Sequence, residues 1–290
     1  MERPVVVGVD GSDGSLAALD WAAAEATRLR LPLRVVYASL WERYEGPASL
    51  FTDQRSTDEE GAILHIVDAA EERARRLSPE LRVDAVTVPD DAGTALVEES
   101  RHAAVLVTGS SGHGVVKGFL LGSVSLAVAG RADCPVVVVR GEERAVKGTA
   151  GRVVVGVGDE EEAATAVRFA LREAATRGCE LQAVRAWRSP QPSADPLIVL
   201  DSTAVAYEEQ AGAILNDALK EAVAEHPEVT VRRTVLEGPA HRVLLDPAAD
   251  ADLLVLGATR RQGRFGLQLG RVSHTALHRA ACPVAVVPHQ

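Results

Sequence analysis

The chain is 290 residues long, enough for two ordinary domains with a core each, and carries 41 acidic against 31 basic residues for a formal net charge of -10. That balance argues against nonspecific binding to nucleic acid or to an anionic membrane surface, while leaving room for a small anion held by backbone groups. Hydrophobic residues make up 47% of the chain and aromatics only 3%, so the expected core is Val, Leu and Ala, with alanine-rich helices close against valine-rich strands.

Short apolar runs alternate with helical patterns along the chain, as in βαβ units around a parallel sheet. In the first half, strands are predicted over about residues 4–9, 33–38, 83–88, 105–109 and 136–139, and helices over about 15–29, 60–77, 92–102 and 123–131. The strands read as continuous valine runs, the pattern of strands covered on both faces. VVVGV at 5–9 recurs at 153–157, and CPVVVV from Cys134 recurs as CPVAVV from Cys282. Gly109 and Gly257, Gly122 and Gly270, and Ser125 and Ser273 share the same offset of 148 residues, so one unit has been duplicated whole. The seam RGEERAVKGTAG is charged and glycine-bearing. It predicts a first domain over 1–142, a linker over 143–150 and a second domain over 151–290. The predicted fold class is α/β, with two tandem, doubly wound, open parallel-sheet (Rossmann-like) domains of about five strands each.

In such sheets ligands bind beyond the carboxyl ends of the strands, which directs attention to the segments after Val9, Ala38 and Val107. GSSGHGVVKGFLLGS at 109–123 follows a strand and opens a helix, with glycines at 109, 112, 114, 118 and 122. Glycines are costly to order but let backbone N–H groups turn inward, and the helix start near Ser123 favours an anion. Ser123 and Ser125 add hydroxyl donors. The stretch is not a P-loop, because GxxxxGK[ST] is absent, and GVDGSDGS at 8–15 does not give GxGxxG. Asp10 points into the same crevice. A carboxylate beside a triphosphate needs an intervening cation, so Asp10 implies either Mg2+ ligation or a ribose contact; equally, it suits the turn before the first helix.

These residues resemble the universal stress protein family in its tandem form, and the resemblance covers both halves. The family's nucleotide motif, GxxG, nine residues, then G[ST], is intact at Gly109, Gly112, Gly122 and Ser123, and Asp10 matches its acidic residue after the first strand. The resemblance implies ATP and Mg2+ as ligands, with Asp10 on the metal and Ala38 near adenine. Val9, Thr108, Gly109, Gly112, Gly122, Ser123, Val124 and Ser125 would complete the site. It also implies a regulator with a protein partner rather than a rapid ATPase, and dimerisation through the last strands, 136–139 and 284–287, between copies or between halves. A nucleotide-independent scaffold and a slow ATP-hydrolysing enzyme are the alternatives. In the second half Gly158 replaces Asp10, Arg260 replaces Gly112 and Arg271 replaces Ser123, so that nucleotide site is expected to be compromised. Arg260, Arg261, Arg264 and Arg271 form either a phosphate-binding set or a solvated basic patch.

Cys134, Cys179 and Cys282 cannot all pair and none lies in CxxC, which argues against a disulfide or zinc framework and for a reduced, cytoplasmic setting. MERPVVVGVD has no signal-peptide core, and uncharged runs such as 118–130 are too short to span a bilayer. Cys134 and Cys282 each precede Pro at a strand start, where packing accounts for them, and His113 reads as an exposed loop residue. LWERYEGPASLF at 40–51 is either a lid or an irregular excursion.

Overall fold

Val5, Val6 and Val7 are fully excluded from solvent in strand β1 (Val5–Gly8), which is flanked on both edges. Val5 lies opposite Leu33 of β2 (Leu33–Ala38) on one side and Val105 of β4 (Val105–Gly109) on the other. β3 (Val83–Val88) pairs with β2 and β5 (Val136–Val139) with β4, all in parallel, giving the order β3-β2-β1-β4-β5. Strand order therefore reverses between β1 and β4, and the crevice beyond their carboxyl ends is where a ligand fits. The computed structural model describes residues 2–40, 54–110, 121–158, 160–189, 200–258 and 269–289. They fall into two compact units, Met1–Arg140 and Gly141–Gln290.

Helices cover the first unit's sheet: α1 (Asp13–Leu29), α2 (Gln54–Leu77), α3 (Ala92–Ser100) and α4 (Ser123–Arg131). Ala18 and Ala22 of α1 are wholly buried and let the helix approach β1 and β4 closely. Each buried Val or Leu contributes roughly 1.5–3 kcal/mol of transfer free energy, which explains why the central strands carry valine without alternation. Helix α2 starts at Gln54, ahead of the predicted residue 60, because QRSTDEE has adequate helix propensity but no apolar period to reveal it. Asp91 caps α3, accepting from the Gly93 and Thr94 N–H groups at 3.0 Å each.

The second unit repeats the plan. β6 (Arg152–Gly156), β7 (Glu180–Trp187), β8 (Val231–Glu237), β9 (Leu253–Ala258) and β10 (Val284–Pro288) are parallel in the order β10-β9-β6-β7-β8. Its described helices are α5 (Glu143–Val146), α6 (Glu160–Arg177), α7 (Leu200–Glu225), α8 (Ala240–Val243), α9 (Leu245–Ala249) and α10 (Arg271–Arg279). The counterpart of α3 is split into α8 and α9 because Pro247 has no N–H to give the Val243 carbonyl and its ring crowds that group.

The stretch predicted as a linker is folded onto the second unit. It contains α5, and the Glu142 N–H donates to the Ala281 carbonyl at 2.9 Å. Gly141 sits at φ 93, where a Cβ would lie 2.1 Å from the Ala281 oxygen. Asp252, 2% exposed, accepts from the N–H groups of Ala150 and Gly151 at 2.7 Å and of Arg152 at 3.2 Å. Among the described residues, no helix is long and apolar enough to cross a membrane.

Asp252→Ala strands these donors and should cost about 1–3 kcal/mol in urea unfolding of the intact chain, whereas an unchanged midpoint would show the anchor to be dispensable. Hydrogen bonds from Thr94 hold the Asp91 carboxyl below its usual range. A lowered folded pKa means the cap stabilises above the unfolded value near 3.8 and loses that contribution as pH falls through the folded pKa. The roughly 1 kcal/mol cost of Asp91→Ala at neutral pH should shrink below that point in parallel denaturation curves.

Candidate functional site

GVDGSDGS folds into a closed polar turn between β1 and α1. The Ser12 N–H (3.0 Å) and hydroxyl (2.5 Å) both donate to Asp10 Oδ1. The Ser15 N–H donates to Ser12 Oγ at 3.2 Å, the Ser15 hydroxyl donates to the Ser12 carbonyl at 2.9 Å, and the Asp10 N–H reaches Ser15 Oγ at 3.2 Å. Gly11 takes φ 80, a left-handed conformation suited to glycine. Asp10 thus shapes its turn and also lines the crevice, so the two readings of this residue are compatible.

At the end of β4 the backbone approach is tight. A Cβ on Gly109 would lie 2.5 Å from the Gly14 carbonyl oxygen, so this glycine is fixed by packing of β4 on the first turn of α1, not by ligand access alone. The Ser125 hydroxyl donates to the Gly109 carbonyl at 2.6 Å, which commits its proton to joining α4 to β4 rather than to a ligand. The Gly122 N–H donates to the Ser110 carbonyl at 2.8 Å, tying the two ends of the glycine segment together. Gly122 caps α4 without any side-chain hydrogen bond, and a Cβ there would meet only ordinary contacts at 3.7 Å and beyond. The first amides of α4 therefore form an anion-favouring helix end that has no capping side chain.

These elements surround a cavity of about 360 Å3. Val9, Asp10, Ala38, Thr108, Gly109, Gly122, Ser123, Val124 and Ser125 all line it; Gly112, at 111–120, lies outside the described residues, as do His113 and the 41–51 part of the stretch read as a lid. Sequence reasoning passes over Tyr37, Ser15 and Leu96, which also line it. Leu96 forms the floor, its Cδ1 2.7 Å from where a Gly8 Cβ would stand. Burial, and then the Asp10 charge, push the Tyr37 phenol above its usual range, so it stays a neutral donor. Thr108 is 3% exposed and its Oγ1 has no hydrogen-bond partner among the described residues. No Lys or Arg is among the described lining residues. No three His, Cys, Asp or Glu side chains among the described residues are grouped to hold a metal ion.

The model of the universal stress protein family matches the sequence twice, over residues 1–140 and 149–288. The chain belongs to the universal stress protein family. Universal stress protein Rv2005c of Mycobacterium tuberculosis is 34% identical over 289 residues, covering 98% of this chain and 97% of its own. Universal stress protein Rv2623 of the same organism is 30% identical over 292 residues, covering 97% and 95%. The crystal structure of a universal stress protein from Archaeoglobus fulgidus, 18% identical, covers 100% of both chains with a TM-score of 0.69 and shares the fold.

In this universal stress protein the second unit retains a cavity at the equivalent place, of about 620 Å3, despite the changed motif. Its floor is conserved in kind: a Cβ on Gly156 would lie 2.8 Å from Leu256 Cδ2 and 3.0 Å from Leu244 Cδ1. Its polar groups differ. Gly158 stands where Asp10 is, Ala163 for Ser15, Arg185 for Tyr37, Leu256 for Thr108 and Arg271 for Ser123. Arg185 donates to the carbonyls of Val157, at 3.3 Å, and Gly158. Arg260, Arg261 and Arg264 lie outside the described residues. Burial pushes the Cys134 thiol up to about 12, which removes it as a thiolate nucleophile at neutral pH.

Gly109→Ala should cost roughly 1–3 kcal/mol because the clash is with backbone, while Gly122→Ala should cost less than about 1 kcal/mol. Urea denaturation of both variants decides the matter; equal effects would mean that the Gly109 approach is not a packing constraint.

Proposed function

We propose that the first unit binds ATP with a divalent cation such as Mg2+, and that the protein works as a regulator through this binding rather than through rapid turnover. The observation that carries the reading is the start of α4, whose amides line the cavity under a cap, Gly122, that offers no side chain. A triphosphate suits that end, and the buried, unpartnered Thr108 Oγ1 supplies a further polar contact. Val36, Ala38 and Leu96 give an apolar surface for a purine ring. Asp10 would hold the ion, whose charge offsets the repulsion between carboxylate and triphosphate; one carboxylate with phosphate oxygens and water is an ordinary Mg2+ set. Oδ1 of Asp10 is engaged by Ser12, which supports a holding role over proton transfer. A protein partner, a second copy of the chain among them, would read the occupied state.

Isothermal titration of the whole chain with ATP and Mg2+ should show binding that Gly122→Val abolishes while the urea midpoint stays close to wild type. Absence of binding, or binding indifferent to Gly122→Val, would overturn the proposal. Asp10→Asn keeps an acceptor for Ser12 but removes the charge, and should lower the Mg2+ enhancement of ATP affinity by about tenfold.

A further inference from the structure

The second cavity differs from the first in chemistry more than in place. At five wall positions the side chains Asp10, Ser15, Tyr37, Thr108 and Ser123 are replaced by Gly158, Ala163, Arg185, Leu256 and Arg271. A carboxylate, three hydroxyls and a phenol give way to two guanidinium groups, with the apolar Leu256 and Ala163 standing for Thr108 and Ser15. Among the described lining residues this wall offers no carboxylate, and it carries permanent positive charge.

The charge extends beyond the cavity itself. An adjoining hollow of about 310 Å3 shares Arg271 and brings in Arg188 from the end of β7 and His241 from α8. Desolvation, and then the charges of Arg271, Arg242, Arg188 and Arg279, hold the His241 imidazole below its usual range. Those four arginines are exposed, and among the described residues none is engaged in a salt bridge. Among the described residues this is a basic cluster in a chain of net charge -10. It coincides with the amino end of α10, where Gly270 caps the helix without a side-chain hydrogen bond, so the helix field and the Arg271 charge both favour an anion there.

We propose that the second unit binds a small organic phosphate with an apolar body, without a divalent cation: Arg271 and the start of α10 take the phosphate, and Leu244, Leu256, Val184 and Ala163 take the body. Two arginines in place of an acidic residue supply the charge that the first unit would borrow from a metal ion. Those four apolar side chains favour a hydrocarbon or aromatic group. This inference concerns the second unit and stands whether or not the first unit holds ATP.

The test is titration of the Gly122→Val chain, in EDTA, with phenyl phosphate, inorganic phosphate and AMP. Phenyl phosphate is expected to bind, about tenfold or more tightly than inorganic phosphate, since the ring adds buried apolar area. Arg271→Ser, which installs the residue of the first unit, should weaken it about tenfold or more, and raising salt should weaken it further. Nuclear magnetic resonance shifts at Arg271, Val272 and Ser273 should report the contact. The proposal fails if phenyl phosphate does not bind in EDTA, if Arg271→Ser leaves its affinity unchanged, or if AMP binds about tenfold tighter than phenyl phosphate, which would make the wall a nucleoside site.

Discussion

The site in the first unit depends on one close approach of backbone to backbone, between Gly109 at the end of β4 and the Gly14 carbonyl in the first turn of α1. No side chain fits between them, so the two elements meet at the switch point with nothing to hold them apart. The Ser125 hydroxyl then joins α4 to the same Gly109 carbonyl. Through that node the turn of Asp10, Ser12 and Ser15, the buried Thr108 and the start of α4 come to face one cavity. The cavity wall is assembled from short-range backbone geometry, with Asp10 the one charged side chain among its described lining residues. That is economical for an acidic chain, because an anion can be held by N–H groups that carry no net charge.

Much of this is legible in the sequence, for identifiable reasons. The bounds of β2, β3, β4, β5 and α4 coincide with their predicted limits, since each is a short valine-bearing strand or a small-residue helix flanked by clear breaks. The duplication is visible because the offset of 148 is kept at both ends. Residues 54–59 are missed as helix because a polar segment has no apolar period, and the split of α8 from α9 turns on the single residue Pro247. Tyr37 and Leu96 reach the site from elements that sequence order does not bring together, and only the sheet order places them beside Asp10. Gly109 is a different case. Its importance is readable from the motif, but its cause, the Gly14 carbonyl, is a contact across 95 positions that no local pattern reveals.

The two units also show how a duplicated fold diverges. Packing positions are held: Gly8 admits Leu96 as Gly156 admits Leu244, and Ser125 and Ser273 are both buried. Buried carboxylates recur at Glu25, beside Arg28, and Glu173, beside Arg177. Five wall positions have changed charge or polarity, among them Asp10 and Ser15, whose turn hydrogen bonds have no counterpart at Gly158 and Ala163. The changes of Gly112 to Arg260 and Ser123 to Arg271 lead to the expectation of a compromised nucleotide site, and the second unit keeps a cavity there with different lining residues.

The central claim is that the amides opening α4 are the binding groups of the first unit. Amide hydrogen exchange of the intact chain with and without ATP and Mg2+ tests this directly. Slowed exchange at Ser123, Val124 and Ser125, with Arg271, Val272 and Ser273 unchanged, is the result expected. Unchanged exchange at the start of α4 in the presence of bound ATP would contradict it.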